Sequence, residues 1–129
     1  MAWFRKPTLG ARGEWQAARF LRAAGYRILL HSYRCPLGEI DLVAEQGDFL
    51  VFVEVKTRVS RDHGEPWQAV DARKQRQVTR AAVHYIKAHH AQDRPVRFDI
   101  IGITWPPGWW KKPTIEHFPD AFAANGPWI

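Results

Sequence analysis

Asp41, Glu54 and Lys56 fall in one segment, GEIDLVAEQGDFLVFVEVKTR (38–58), whose pattern lets them share a task. The segment is two runs rich in β-branched and aromatic residues, joined by Gly47-Asp48, a pair that favours a tight hairpin turn. With those two residues as the loop, Gln46 pairs with Phe49, and counting outward sets Asp41 directly opposite Glu54. Side chains alternate along a strand, so both carboxylates fall on one face, with Lys56 two residues further along it. The other face carries Ile40, Leu42, Ala44, Phe49, Val51, Val53 and Val55, all apolar. Opposed carboxylates repel, so nothing structural favours this pairing unless a cation or a proton lies between them. Carboxylate oxygens that converge with open water positions suit Mg²⁺ or Mn²⁺. Such an ion polarises a phosphoryl group and lowers the pKa of a bound water. Lys56 would orient that water or neutralise charge developing on the phosphate. The plainer alternative is a solvated hairpin face with Glu54 paired to Lys56 or Arg58. Against it, Leu50 and Phe52 share the face of Glu54, and a partly covered carboxylate pair needs a compensating partner.

The flanking elements must hold this hairpin. Gly10 to Ala24 has helical spacing, with Glu14, Ala17, Ala18 and Leu21 on one stripe and Gly25 as its C-terminal stop. Tyr26 to Tyr33 reads as a strand, and residues 34–38 as a turn into the hairpin. Arg58 to Gln68 is polar and rich in Gly and Pro, which suggests a mobile connection. Asp71 caps a helix expected to reach about His90, with Val78, Ala81, Ala82, Tyr85 and Ile86 as its buried stripe. Val96 to Thr104 is a strand, Trp105 to Pro113 an irregular loop, and Ile115 to Phe118 a short edge strand before a turn or helix near Asp120 to Ala123. This order predicts a mixed sheet flanked by helices. Glu14 lies on the stripe that faces the sheet. It either completes a metal site or sits in the first turn because negative charge suits the helix dipole there. Glu39 flanks Asp41 and either binds a metal or pairs with Lys56 across the hairpin. Alternation puts Arg97 and Asp99 on one face, where a structural ion pair is the expected reading.

Composition narrows the partner. The 129 residues suffice for a single core, and 19 Lys and Arg against 13 Asp and Glu leave a net charge of +6. A basic domain suits a polyanion, either nucleic acid or an anionic membrane surface. The N-terminal MAWFRKPTLG has no long apolar run, so neither a leader nor an anchor is expected. Cys35 is the single cysteine, which points to a reducing cytoplasm and leaves nucleic acid the better partner. Arg73, Lys74, Arg76 and Arg80 on the second helix, with Arg58 and Arg61 after the second hairpin strand, are the expected phosphate contacts. Singly, each would otherwise be read as part of a solvated face. Trp105, Trp109 and Trp110 beside Lys111 and Lys112 either stack unpaired bases or cover the sheet edge or a partner subunit. The histidines form no zinc-ligand pattern.

The spacing of Asp41 and Glu54-Val55-Lys56 resembles the PD-(D/E)xK signature of restriction-endonuclease-like nucleases. Gly13-Glu14 opening a helix, GEIDLVA, FVEVKTR, the Gly64/Pro66/Ala69-Val70/Lys74 segment and RFDIIGI together resemble the YraN-like family, UPF0102, over about residues 10–122. Ile40 stands where the superfamily loosely keeps a proline. The resemblance implies one small α/β nuclease-like domain over residues 1–129, a restriction-endonuclease-like mixed β-sheet flanked by helices, similar to archaeal Holliday junction resolvases. It implies an endonuclease that hydrolyses DNA phosphodiester bonds, with Asp41 and Glu54 holding Mg²⁺ or Mn²⁺, Lys56 positioning water and Glu14 assisting at the metal. It matches Lys74 to a family lysine, and it points to branched DNA such as Holliday junctions, hence to recombination and repair. Symmetric cutting of two strands would call for a homodimer. Two other classes stay open. One is a catalytically silent nucleic-acid-binding module. The other is a protein-interaction subunit of a repair or recombination complex, with the Trp105 to Trp110 loop as its contact.

Overall fold

Thr8 opens the first helix, α1 (Leu9–Ala23), by accepting the Ala11 N–H at 3.0 Å, and Gly25, at φ +93°, ends it. The computed structural model describes residues 8–59, 64–107 and 111–124. The buried stripe of α1 is Gly13, Ala17, Ala18 and Leu21. Gly13 is there for close approach: a Cβ on it would fall 1.9 Å from Thr57 Oγ1. The strands β1 (Arg27–Cys35), β2 (Gly38–Gln46), β3 (Phe49–Arg58), β4 (Val96–Thr104) and β5 (Thr114–Phe122) form one sheet in sequence order. Neighbours are antiparallel except β3 and β4, which are parallel. Parallel neighbours need a crossover, and α2 (Ala72–Ala88) supplies it, with Asp71 Oδ1 accepting the Lys74 N–H at 2.9 Å as its cap.

The two helices cover opposite faces. Ala17, Ala18 and Leu21 pack with Leu42, Ala44, Val51, Val53, Ile101 and Ile103 under α1. Val78, Ala81, Ala82 and Tyr85 pack with Ile40, Val43, Leu50, Phe52 and Phe98 under α2. The result is the expected α/β class, a five-stranded mixed sheet flanked by helices. No helix among the described residues is long and apolar enough to cross a membrane.

Several expectations change. The hairpin face of Leu50, Phe52 and Glu54, expected to be at least partly covered, is fully buried, with Leu50 and Phe52 packed under α2. Phe49, expected among the apolar face, is exposed at the strand start beneath the Arg97 guanidinium. The connection after Arg58 contains a 3₁₀ turn, Pro66–Ala69, closed by reciprocal Glu65 and Gln68 contacts. The second helix stops at Ala88. The last strand runs nine residues, and a register shift opposite Asp99 replaces the turn or helix expected near Asp120.

Ile40 is the instructive departure. It packs with Val43 and Phe52 under α2, opposite to Leu42. The β1–β2 ladder steps from Tyr33↔Ile40 to His31↔Leu42, passing over Ser32 and Asp41, and Ser32 has φ +55°. This break rotates the strand by one face between Ile40 and Leu42. The β2–β3 pairs run from Gln46↔Phe49, as expected, only to Leu42↔Val53. Asp41 therefore lies just beyond the end of the ladder.

Candidate active site

The end of the β2–β3 ladder frees the Val55 N–H, and Asp41 Oδ2 accepts it at 2.8 Å. That bond seats the Asp41 carboxylate against β3 between the two residues of interest, Glu54 and Lys56. The Glu54 side chain is only 3 % exposed, and its Oε2 lies 3.6 Å from Lys74 Nζ on α2. Its Oε1 is buried with no hydrogen-bond partner among the described residues. Buried polar atoms are nearly always satisfied, so this oxygen marks a place where a cation or a proton would sit. Lys56 is exposed beside it and pulls electrostatically on Glu54.

Glu14 joins the pair from α1. Burial first, then the Asp41 charge and a shared hydrogen bond with Asp41, push the Glu14 carboxyl up to about 7. Burial and the Asp41 charge push Glu54 up to about 8, against the pull of Lys74 and Lys56. Asp41 is also raised by burial, opposed by the Val55 N–H and by Lys74. Asp41 thus repels both Glu14 and Glu54 at one end of the sheet, and each of the three holds its proton more tightly than usual. Among the described residues no three Asp, Glu, His or Cys side chains form a group able to hold a metal by themselves. Asp41 and Glu54 offer two carboxylates and an unsatisfied oxygen. That donor set fits Mg²⁺, which keeps several waters and takes substrate oxygens rather than an all-protein cage.

A groove of about 640 Å³ opens beside this cluster, lined by Leu37, Lys56, Arg73, Lys74, Arg76 and Arg80 among others. Arg73, Arg76 and Arg80 recur at helical spacing along α2, so the groove wall is a basic stripe. The groove continues to the β1–β2 turn, where Arg34 joins it, a residue the sequence reading passed over. A second cavity of about 460 Å³, at the other end of α2 among Val83, Ile86 and Val96, is mainly apolar and includes neither Lys56 nor Lys74.

Other residues singled out by sequence go elsewhere. Glu39 is exposed and pairs with Arg34 at 3.5 Å, its neighbour across β1–β2, in place of the anticipated Lys56. Arg58 turns inward, donating to Thr104 Oγ1 at 3.3 Å and to the Gly64 carbonyl. Trp105 is half-buried against the α1 cluster with the Arg12 guanidinium 4.7 Å over its ring. Arg61, Trp109 and Trp110 lie outside the described residues. Arg97 and Asp99 form the anticipated ion pair at 2.7 Å. Tyr26 and His117 also donate to Asp99, at 3.4 Å and 2.8 Å, partners that neither residue's sequence context announced.

The mixed sheet between two helices is consistent with a restriction-endonuclease-like fold, here carrying paired carboxylates beside a basic groove. The profile described as "Uncharacterised protein family UPF0102" matches residues 13–103, and the chain belongs to that family. It is 44% identical over 115 residues to a UPF0102 protein of Geobacter metallireducens, covering 89% of this chain and 92% of that one. It is 47% identical over 94 residues to one from Moorella thermoacetica, covering 73% and 78%. With one from Myxococcus xanthus the identity is 41% over 116 residues, covering 90% of each.

Proposed function

We propose that this chain is a metal-dependent endonuclease that hydrolyses DNA phosphodiester bonds. The observation that carries the reading is the buried Glu54, its Oε1 without a partner among the described residues, held near Asp41 and paired with Lys74, which lines a basic groove. Asp41 and Glu54 would hold Mg²⁺ or Mn²⁺. A divalent ion there supplies Lewis-acid polarisation of a phosphoryl oxygen and acidification of a coordinated water. Lys56, exposed at the groove, would position the attacking water or meet the negative charge that develops on the phosphate. Glu14, whose carboxyl titrates near neutrality, can take up or return a proton at the Asp41 side. Arg73, Arg76 and Arg80 would hold the sugar–phosphate backbone. These contacts carry no base readout, which suits a nuclease selective for DNA shape.

The preference for branched DNA, a homodimer and a place in recombination or repair rest on the resemblance to Holliday junction resolvases. A cytoplasmic location rests on the single cysteine. A second reading, the catalytically silent DNA-binding module, is favoured by the Lys74–Glu54 ion pair, which already neutralises part of the cluster. End-labelled duplex, flap, single-stranded and four-way-junction DNA incubated in Mg²⁺ or Mn²⁺ tests both, with wild type, Asp41→Ala and a chelator control. Cutting that needs metal and disappears in Asp41→Ala is the expected result. Binding without cutting, unchanged by the substitution, would leave the silent module instead.

A further inference from the structure

Lys74 sits in the first turn of α2, where the helix dipole disfavours positive charge, and Arg73, Arg76 and Arg80 crowd it with like charge. Among the described residues its ion-pair partner is Glu54. Its ammonium acts electrostatically on both Glu54 and Asp41, yet its nearest carboxylate contact is 3.6 Å, longer than a tight charge-assisted hydrogen bond. Its side chain is 33 % exposed and also lines the groove, so a rotation about its own flexible stem carries the charge from one to the other.

Resting on the nuclease reading above, we propose that Lys74 is an exchangeable counter-ion. In the metal-free protein its ammonium neutralises the Glu54–Asp41 pair; when a divalent cation takes those oxygens, Lys74 swings into the groove and grips a DNA phosphate. The monovalent ammonium, beside Glu54 Oε2, and the divalent ion compete for the charge of the same two carboxylates, and the ion that binds there displaces a cation already poised toward the substrate. Metal binding and DNA binding are then coupled through one side chain, with each favouring the other.

The site can be read without catalysis. Titration of Mg²⁺ into ¹⁵N-labelled protein at pH 9, followed at the Val55 amide that Asp41 accepts, reports occupancy in wild type, Lys74→Gln and Asp41→Asn. Lys74→Gln should bind Mg²⁺ about tenfold or more tightly than wild type, because a competing charge is gone. Lys74→Met serves as a second variant, with circular dichroism to show that each is folded. In Ca²⁺, Lys74→Gln should bind a DNA duplex more weakly, with a salt slope smaller by about 1, whereas in EDTA the two proteins should bind alike. If Mg²⁺ affinity depends on Asp41 but is unchanged or weakened in both Lys74 variants, the exchange is wrong and the metal site stands. If the Mg²⁺ response is absent, or equal in Asp41→Asn and wild type, the metal reading falls and the exchange with it.

Discussion

Asp41 and Asp99 both lie where the sheet's ladder is interrupted, and a residue with left-handed backbone stands opposite each: Ser32 at φ +55° and Asp120 at φ +52°. Their surroundings then diverge. Asp99 is fully buried, and its two oxygens accept from Arg97 Nε and Nη2, His117 Nε2, Tyr26 and the Asp120 N–H. Burial alone would raise its carboxyl, but the bonds from His117, Arg97 and the Asp120 amide together hold it below its ordinary value. Asp41 accepts the Val55 N–H and feels the Lys74 ammonium, but the carboxyls of Glu14, Glu39 and Glu54 also crowd it with like charge. A ladder break thus closes completely at one place and stays open at the other. Strain and repulsion that survive in a folded protein concentrate at functional sites, and the open cluster is the one beside the basic groove.

The contrast is broken most forcefully at its closed end. Asp99→Ala leaves the Arg97 guanidinium, only 14 % exposed, without its ion-pair partner. Removing one member of a buried pair costs about 3–5 kcal/mol, read as a fall in the urea midpoint. At the open end the sign should reverse. Asp41→Asn keeps an acceptor for the Val55 N–H but removes a repelling charge from Glu14 and Glu54. It should raise stability by about 1 kcal/mol while reducing metal-dependent cleavage to background. Equal destabilisation by the two substitutions would mean that both clusters are structural.

pH should separate the clusters in opposite directions. Glu14 and Glu54 have folded values, about 7 and about 8, above their ordinary 4.5, so the stability they contribute is full below about pH 4.5 and is lost as pH rises through those values. Asp99 is lowered from 3.8, so its contribution is present above that value and is lost as pH falls through its folded value. The metal-free protein should therefore unfold at lower urea at pH 9 than at pH 5.5. Glu54→Gln should shrink that difference, and millimolar Mg²⁺ should do the same in wild type. A pH 5.5 to 9 difference of the same size in Glu54→Gln would detach Glu54 from the effect.

Much of this was legible in the chain because it is local. Gly47-Asp48 and strict alternation set the hairpin register from Gln46↔Phe49 outward, and Asp71 announced its helix as a cap does. Alternation also gave the Arg97–Asp99 pair. The hidden parts are tertiary. Ile40 changes face only because the strand is interrupted at Asp41, which local pattern does not encode. Lys74 stands out from its basic run only through the family resemblance; its pairing with Glu54 carries no local signal, because that carboxylate lies across the crossover from β3 to α2. Tyr26 and His117 meet Asp99 only after the sheet assembles, and neither carries a local signal for doing so.

The smallest effect belongs to the groove wall, where no buried network is disturbed. Arg80 is exposed on α2, one of the stripe with Arg73 and Arg76. Arg80→Ala should leave the urea midpoint within about 0.5 kcal/mol of wild type, as surface substitutions usually do. It should weaken DNA binding alike for all sequences and lower the salt slope by about 1, because one phosphate contact and its released counterion are lost. Fluorescence anisotropy with one labelled duplex across a salt series measures both affinity and slope. Arg94→Ala is the matching control: Arg94 lies outside the groove and pairs with Glu45 at 3.0 Å, so its removal should leave the slope unchanged. Equal slope changes in the two variants would mean that DNA senses the chain's overall charge and that the groove beside Asp41 and Glu54 has no special claim on it.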